Sequence, residues 1–165
     1  MSFTGRNRKD ITGDGAEKKS ADKTAPVKDR ALGLLARREH SAVELKRKLQ
    51  QKGYNSTDID TELSQLQQDG SLSDRRFTEA YVNMRMNRGY GPMRILAELR
   101  DRGIPAELAN EYLNQELLDW HAVLSRQYTK KYAGVPIADH QDKSKRIAYL
   151  QARGFRLDFI FDLLA

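Results

Sequence analysis

The sequence predicts an all-α fold: an elongated tandem array of three three-helix modules, nine helices in all, with no β-sheet. Three observations predict it. A pattern recurs every fifty residues or so around Gly53, Gly103 and Gly154. Each glycine has a leucine four residues before it (Leu49, Leu99, Leu150) and a cation immediately before it (Lys52, Arg102, Arg153). A large apolar or aromatic residue follows at once (Tyr54, Ile104, Phe155), and a leucine stands ten residues on (Leu63, Leu113, Leu164). Between the glycines, apolar residues fall at helical spacing. No segment alternates with period two, which would mark a strand. A repeat this long signals stacked supersecondary units, which bind along an extended surface more often than they catalyse in a pocket.

The elements follow in order. Ala31, Leu34, Leu35 and Arg38 give a first short amphipathic face. Ser41 starts the second helix as an N-cap, with Glu44 at capping-box spacing. Leu45 and Leu49 continue its apolar stripe, and Gly53 stops it. A third helix begins near Ser56 or Thr57, carries Ile59, Leu63 and Leu66, and ends at Asp69-Gly70. Ser73 caps a fourth helix bearing Phe77, Tyr81 and Met84. Tyr90-Gly91-Pro92 breaks the chain, and Pro92 suits the first turn of a fifth helix holding Ile95, Leu96 and Leu99 up to Gly103. Pro105 opens the sixth, with Leu108, Tyr112 and Leu113. Leu117, Trp120, Leu124 and Tyr128 mark the seventh. A loop around Gly134-Val135-Pro136 precedes the eighth, with Ile147 and Leu150 before Gly154. Leu157, Ile160, Phe161 and Leu164 mark the ninth, whose apolar last turn is expected to pack on its own module. The expected divisions are an arm at 1–27 and modules at 28–71, 72–116 and 117–165.

Composition bounds the function. The 165 residues are 39% hydrophobic, enough for a thin core shared among small units, and the net charge is +6, which favours polyanions or acidic protein surfaces as partners. There is no cysteine, so disulfides, thiol catalysis and thiolate metal sites are excluded. No apolar run approaches the roughly 18 residues of a bilayer span and no secretory signal is apparent, so a cytoplasmic location is expected. Residues 1–27 read as a disordered basic arm, punctuated by Gly5, Gly13, Gly15 and Pro26 and carrying Arg6, Arg8, Lys9, Lys18, Lys19 and Lys23. It is read either as a plain solvated tail or as a weak polyanion contact.

Charge is sorted by helix. Second helices carry cations: Lys46, Arg47, Lys48 and Lys52; Arg94, Arg100 and Arg102; Lys143, Lys145, Arg146 and Arg153. Third helices carry acids, among them Asp58, Asp60, Glu62, Glu107, Glu111, Asp158 and Asp162. Helix macrodipoles account for the charges nearest the helix ends. They do not account for a whole helix type of one sign, repeated three times. Stacked in a row, the second helices would present one basic ridge; ordinary solvated faces are the alternative. Arg85, Arg88, Tyr90 and Arg94 form the densest constellation, at the bend inside the middle module. Guanidinium forks there suit phosphate or carboxylate, and the tyrosine is either an anchor or a packing residue at the turn. The candidate binding residues are therefore Lys46, Arg47, Lys52, Arg85, Arg88, Tyr90, Arg94, Arg100, Arg102, Lys145 and Arg153.

Signs of catalysis are few. His40, His121 and His140 lack a second ligand at metal spacing and read as surface or capping residues. No glycine loop with a following lysine is present to cradle phosphate. Glu39/Glu44 and Asp58/Asp60/Glu62 read as surface acids. Neither an enzyme, a cofactor nor a bound metal is expected.

Three stretches resemble a known family. The run Gly89-Tyr90-Gly91-Pro92-Met93-Arg94-Ile95 through Glu98-Leu99-Arg100-Asp101-Arg102-Gly103-Ile104 is similar to the signature of RecX, the bacterial regulator of the RecA recombinase. Ser41-Ala42-Val43-Glu44-Leu45 with Leu49 and Lys52-Gly53 resembles its first module. Asp69-Gly70-Ser71-Leu72-Ser73-Asp74 with Phe77 and Ala80-Tyr81 resembles its module junction. The likeness spans about residues 28–165. It implies three tandem three-helix modules. It also implies a negative regulator that binds the helical groove of the RecA–single-stranded-DNA filament and restrains ATP hydrolysis and strand exchange. The implied partners are the RecA filament and the single-stranded DNA within it, with free DNA bound weakly, and a monomer is expected. Two other classes stay open on the residues alone: a standalone DNA-binding module, and a helical adaptor for an unrelated acidic protein.

Overall fold

The computed structural model describes residues 25–165. The basic arm expected at 1–27 lies outside the described residues up to residue 24, and Val27 already belongs to the first helix. Nine helices make up the described residues: α1 Val27–Leu35, α2 Ala42–Gln51, α3 Ser56–Gln68, α4 Asp74–Asn87, α5 Pro92–Asp101, α6 Ala106–Leu113, α7 Trp120–Tyr132, α8 His140–Ala152 and α9 Leu157–Leu163. No strand occurs among them.

Local chemistry sets most boundaries. Helix starts leave backbone N–H groups without intrahelical acceptors, and short polar side chains satisfy them. Ser41, Asn55, Ser73, Asp119 and Asp139 each accept from the amide three residues on. Pro92 occupies the first turn of α5. Three expectations need correction. Only half of the capping box forms at Ser41: the hydroxyl accepts from the Glu44 amide at 3.1 Å, but the Glu44 carboxylate takes two bonds from Arg38. Arg38 lies beyond the end of α1 and is exposed, so it is no part of that helix's apolar face. Leu117 is 92% exposed and outside α7, because the Asp119 cap starts the helix at Trp120.

The helices bury two cores. Ala31, Leu45, Leu49, Ile59, Leu63, Leu66 and Leu72 close the first, formed by α1–α3 and the turn after α3. The second runs without a break through α4–α9, from Phe77, Ile95 and Leu99 to Trp120, Leu124, Leu150 and Ile160. Trp120 links its two halves, since its indole N–H donates to the Leu113 carbonyl at the end of α6, at 3.0 Å. Each fully buried leucine contributes roughly 2 kcal/mol of apolar transfer. Leu164 is buried as the apolar last turn implied, while Leu157 and Phe161 on the same helix face outward.

The units meet end to end through their second helices. At the α8–α5 joint, the Gly91 amide donates to the Arg153 carbonyl at 2.8 Å and the Met93 amide to the Gly154 carbonyl at 3.0 Å. At the α5–α2 joint, the Ser41 hydroxyl donates to the Arg102 carbonyl at 2.7 Å, and Val43 lies against Gly103. The C-terminal carbonyls of one helix thus meet the N-terminal end of the next. This satisfies end groups that an isolated helix leaves bare and sets the negative end of one helix beside the positive end of the next. At the C-terminal end of α2, the described residues leave the space beside Gly53 open.

Candidate functional site

Through these joints α8, α5 and α2 meet end to end, and most of the expected second-helix cations are carried on them. Arg100 on α5 is exposed with no side-chain partner among the described residues, and Lys145 on α8 is exposed, its charge acting on the nearby Asp142 carboxylate. Lys52, at the C-terminal end of α2, is exposed. Lys46 is tied to Asp60 of α3 at 2.6 Å, so a third-helix acid neutralises one member of the ridge. Arg47 bridges the α5–α2 joint, donating to the Asp101 carbonyl at 3.0 Å.

The middle constellation condenses into a hub. Tyr90 is half-buried, with three guanidiniums against its ring: Arg85 at 3.7 Å from the centroid, and Arg94 and Arg153 each at 4.7 Å. Cations over an aromatic face gain from the ring quadrupole. Glu98 anchors two of them, pairing with Arg85 and accepting from Arg94 at 3.0 Å, and it also accepts from the Tyr81 hydroxyl at 3.0 Å. Burial pushes the Glu98 carboxyl up, but the bonds from Arg85, Arg94 and Tyr81 outweigh it and hold the group below its ordinary range. Arg153 comes from the third unit and also donates to the Arg88 carbonyl at 3.4 Å, and Arg94 donates to the Ala152 carbonyl at 3.1 Å. The hub therefore staples the α8–α5 joint. Its three arginines face a single carboxylate, so a positive excess remains.

Arg85, Tyr90, Arg94 and Arg153 converge on the hub. Arg102 stands next to it, donating to the Glu98 carbonyl at 2.8 Å and lying over Tyr81 at 4.6 Å. Arg85 is only 12% exposed and already paired, so its first task is structural. Arg88 closes α4, is exposed, and its guanidinium has no partner among the described residues.

Two further residues differ from expectation. Arg146, counted among the second-helix cations, is buried rather than on the ridge. It pairs with Asp142 at 2.8 Å and donates to the Tyr128 hydroxyl and to the carbonyls of Val135 and Pro136, pinning the α7–α8 loop. His40 is buried, not a surface residue: Nδ1 lies 3.0 Å from the Arg38 carbonyl and Nε2 lies 3.0 Å from the Lys48 ammonium. Burial, then the charges of Arg38 and Lys48, depress its pKa, only partly offset by the Arg38 carbonyl. Sequence reasoning also missed Glu98, although its position four residues after Arg94 was a usable sign.

No helix among the described residues is long and apolar enough to cross a membrane, and no cluster of three potential metal ligands occurs there.

Comparison with known proteins matches the two repeats separately. The description RecX, first three-helix domain, fits residues 28–66, and RecX, second three-helix domain, fits residues 73–113. The regulatory protein RecX of Pseudomonas savastanoi is 38% identical over 144 residues, covering 87% of this chain and 93% of that protein. A counterpart from Pseudomonas fluorescens is 39% identical over the same length and coverage. Among solved structures, RecX from Lactobacillus salivarius superposes with a TM-score of 0.68 at 21% identity, covering 88% of this chain and 96% of that one. A second crystal structure, of regulatory protein RecX, gives a TM-score of 0.71 at 17% identity over 98% of this chain and 80% of that one. At these identities the structural likenesses speak for the fold alone.

Proposed function

This chain belongs to the RecX family of regulatory proteins, and from that premise we propose that it binds the RecA–single-stranded-DNA filament along its helical groove and inhibits ATP hydrolysis and strand exchange. Modules at 28–71, 72–116 and 117–165 each supply one second helix. The observation that carries the reading is the end-to-end joining of α8, α5 and α2, with exposed Lys145, Arg100 and Lys52 carried on or at the end of these helices and the positive hub at the α8–α5 joint. Cations carried on three helices joined end to end suit an extended polyanionic target. Contacts with several protomers or nucleotides raise avidity even where each is weak. The reading assigns the chain no catalytic step, places its work in the cytoplasm where the recombinase acts, and makes a monomer the binding unit.

The test is the DNA-dependent ATPase rate of RecA against increasing amounts of this protein, with a parallel binding titration on the same DNA without RecA. Inhibition at concentrations that leave naked DNA unoccupied supports recognition of the filament. Inhibition only where the protein already saturates the DNA reduces it to a DNA-binding module, and absence of inhibition rejects the reading.

A further inference from the structure

A cleft of about 470 Å³ opens between the end of α1 with the start of α2 on one side and α4 on the other, at the seam between the two cores. One face of α4 forms its floor, with Phe77, Ala80, Tyr81 and Met84 at helical spacing and Arg88 one turn further on. Met84 is 38% exposed, a flexible apolar side chain facing solvent beside two rings.

We propose that this cleft is a docking site for a segment of a partner protein, one that inserts an aliphatic side chain against Met84 and Ala80 and sets a carboxylate beside Arg88. The inference rests on the filament reading above, whose protein component would supply the segment. Charge complementarity favours an acid. The two carboxylates on the opposite wall are already engaged, Glu44 by Arg38 at 2.6 Å and Glu39 by Arg76 at 2.7 Å. The Arg88 guanidinium has no partner among the described residues. The apolar floor of Phe77, Ala80 and Met84 offers a phosphate backbone nothing to bind. Nor is a platform left for a base. Arg102 lies over the Tyr81 ring at 4.6 Å, Phe77 packs beside it at 5.5 Å, and its hydroxyl is held by Glu98. An aliphatic side chain needs no stacking face and is compatible with flanking charges of both signs.

Two charge-neutral variants on exposed positions separate this site from the basic track: Met84→Gln, which keeps the size but removes the apolar contact, and Ala80→Gln, which fills the cleft with a polar chain. Full-length wild type and variants are titrated against RecA–single-stranded-DNA filaments and against the same single-stranded DNA alone, with thermal melts confirming an intact fold. The expected result is a loss of filament affinity of about tenfold in each variant, naked-DNA affinity unchanged, and recovery in Met84→Leu. Filament affinity equal to wild type in both variants overturns the cleft and leaves the filament reading standing. A parallel loss on naked DNA overturns it in favour of a nucleic-acid occupant. Failure of the wild type itself to bind filaments overturns both.

Discussion

Gly91 and Gly154 face one another across the α5–α8 joint so closely that neither has room for a Cβ. A methyl on Gly91 would overlap the Gly154 carbonyl, and one on Gly154 would overlap Arg94. The approach lets the Gly91 amide reach the Arg153 carbonyl at 2.8 Å, and it brings Arg153 to Tyr90. Close backbone contact is thus the condition for the hub.

The joints should be costlier to disturb than the glycine caps alone. Gly53 and Gly103 share a left-handed backbone, with φ of +89° and +77°, but space around Gly53 is open while Gly103 lies against Val43. Valine at either position carries a backbone penalty of about 1–2 kcal/mol. At Gly103 the overlap with Val43 adds about 1–3 kcal/mol more. Urea unfolding of Gly53→Val and Gly103→Val should show the second clearly the less stable. Equal losses would mean that the close approach of Val43 to Gly103 contributes nothing.

Glu98 is expected to act through stability before function. Glu98→Ala leaves the nearly buried Arg85 without its carboxylate, and removing one partner of such a pair costs about 3 kcal/mol. Arg88→Ala, an exposed change that breaks no side-chain pairing, should stay within about 0.5 kcal/mol of wild type. Chemical denaturation of the two variants tests this, and a Glu98→Ala protein as stable as wild type would remove the hub's structural role.

His40 supplies a pH dependence with a definite sign. Its folded pKa lies below the ordinary value of 6.5, so under mildly acidic conditions the unfolded chain binds a proton that the folded one refuses. Its contribution is fully present well above pH 6.5, and stability falls as pH drops through that value toward the depressed folded pKa. Urea midpoints at pH 7.5 and 5.5 should differ more in wild type than in His40→Gln. An identical difference in both proteins would show that His40 titrates as freely when folded as when unfolded.

The basic track is best tested where the cations are not already committed. Arg94 and Arg102 take part in the hub and its surroundings, so reversing them confounds folding with binding. Arg100 and Lys145 have no such duty among the described residues. Arg100→Glu with Lys145→Glu should weaken filament binding and flatten its salt dependence by about one log–log unit for each phosphate no longer neutralised. Unaltered affinity and salt slope in the double variant would exclude both residues from the interface.

By itself the sequence determined the helices and their repeat, because those depend on near neighbours. Ser41, Ser73 and Pro92 act within a turn of their own positions, and apolar residues three and four apart define a buried face wherever it packs. The charge sorting was equally plain. Tertiary structure alone decided which charges are available. Arg85 and Arg94 converge on Tyr90 through Glu98, and Arg153 joins them from a distant part of the chain, across a joint that two glycines permit. Arg146, alike in sequence to its exposed neighbours, turns inward because the Val135 and Pro136 carbonyls and Asp142 offer it partners. His40 can be buried because the Arg38 carbonyl and the Lys48 ammonium meet its two nitrogens. A side chain's commitment depends on contacts between distant segments, and helical periodicity carries information only about the face a residue shares.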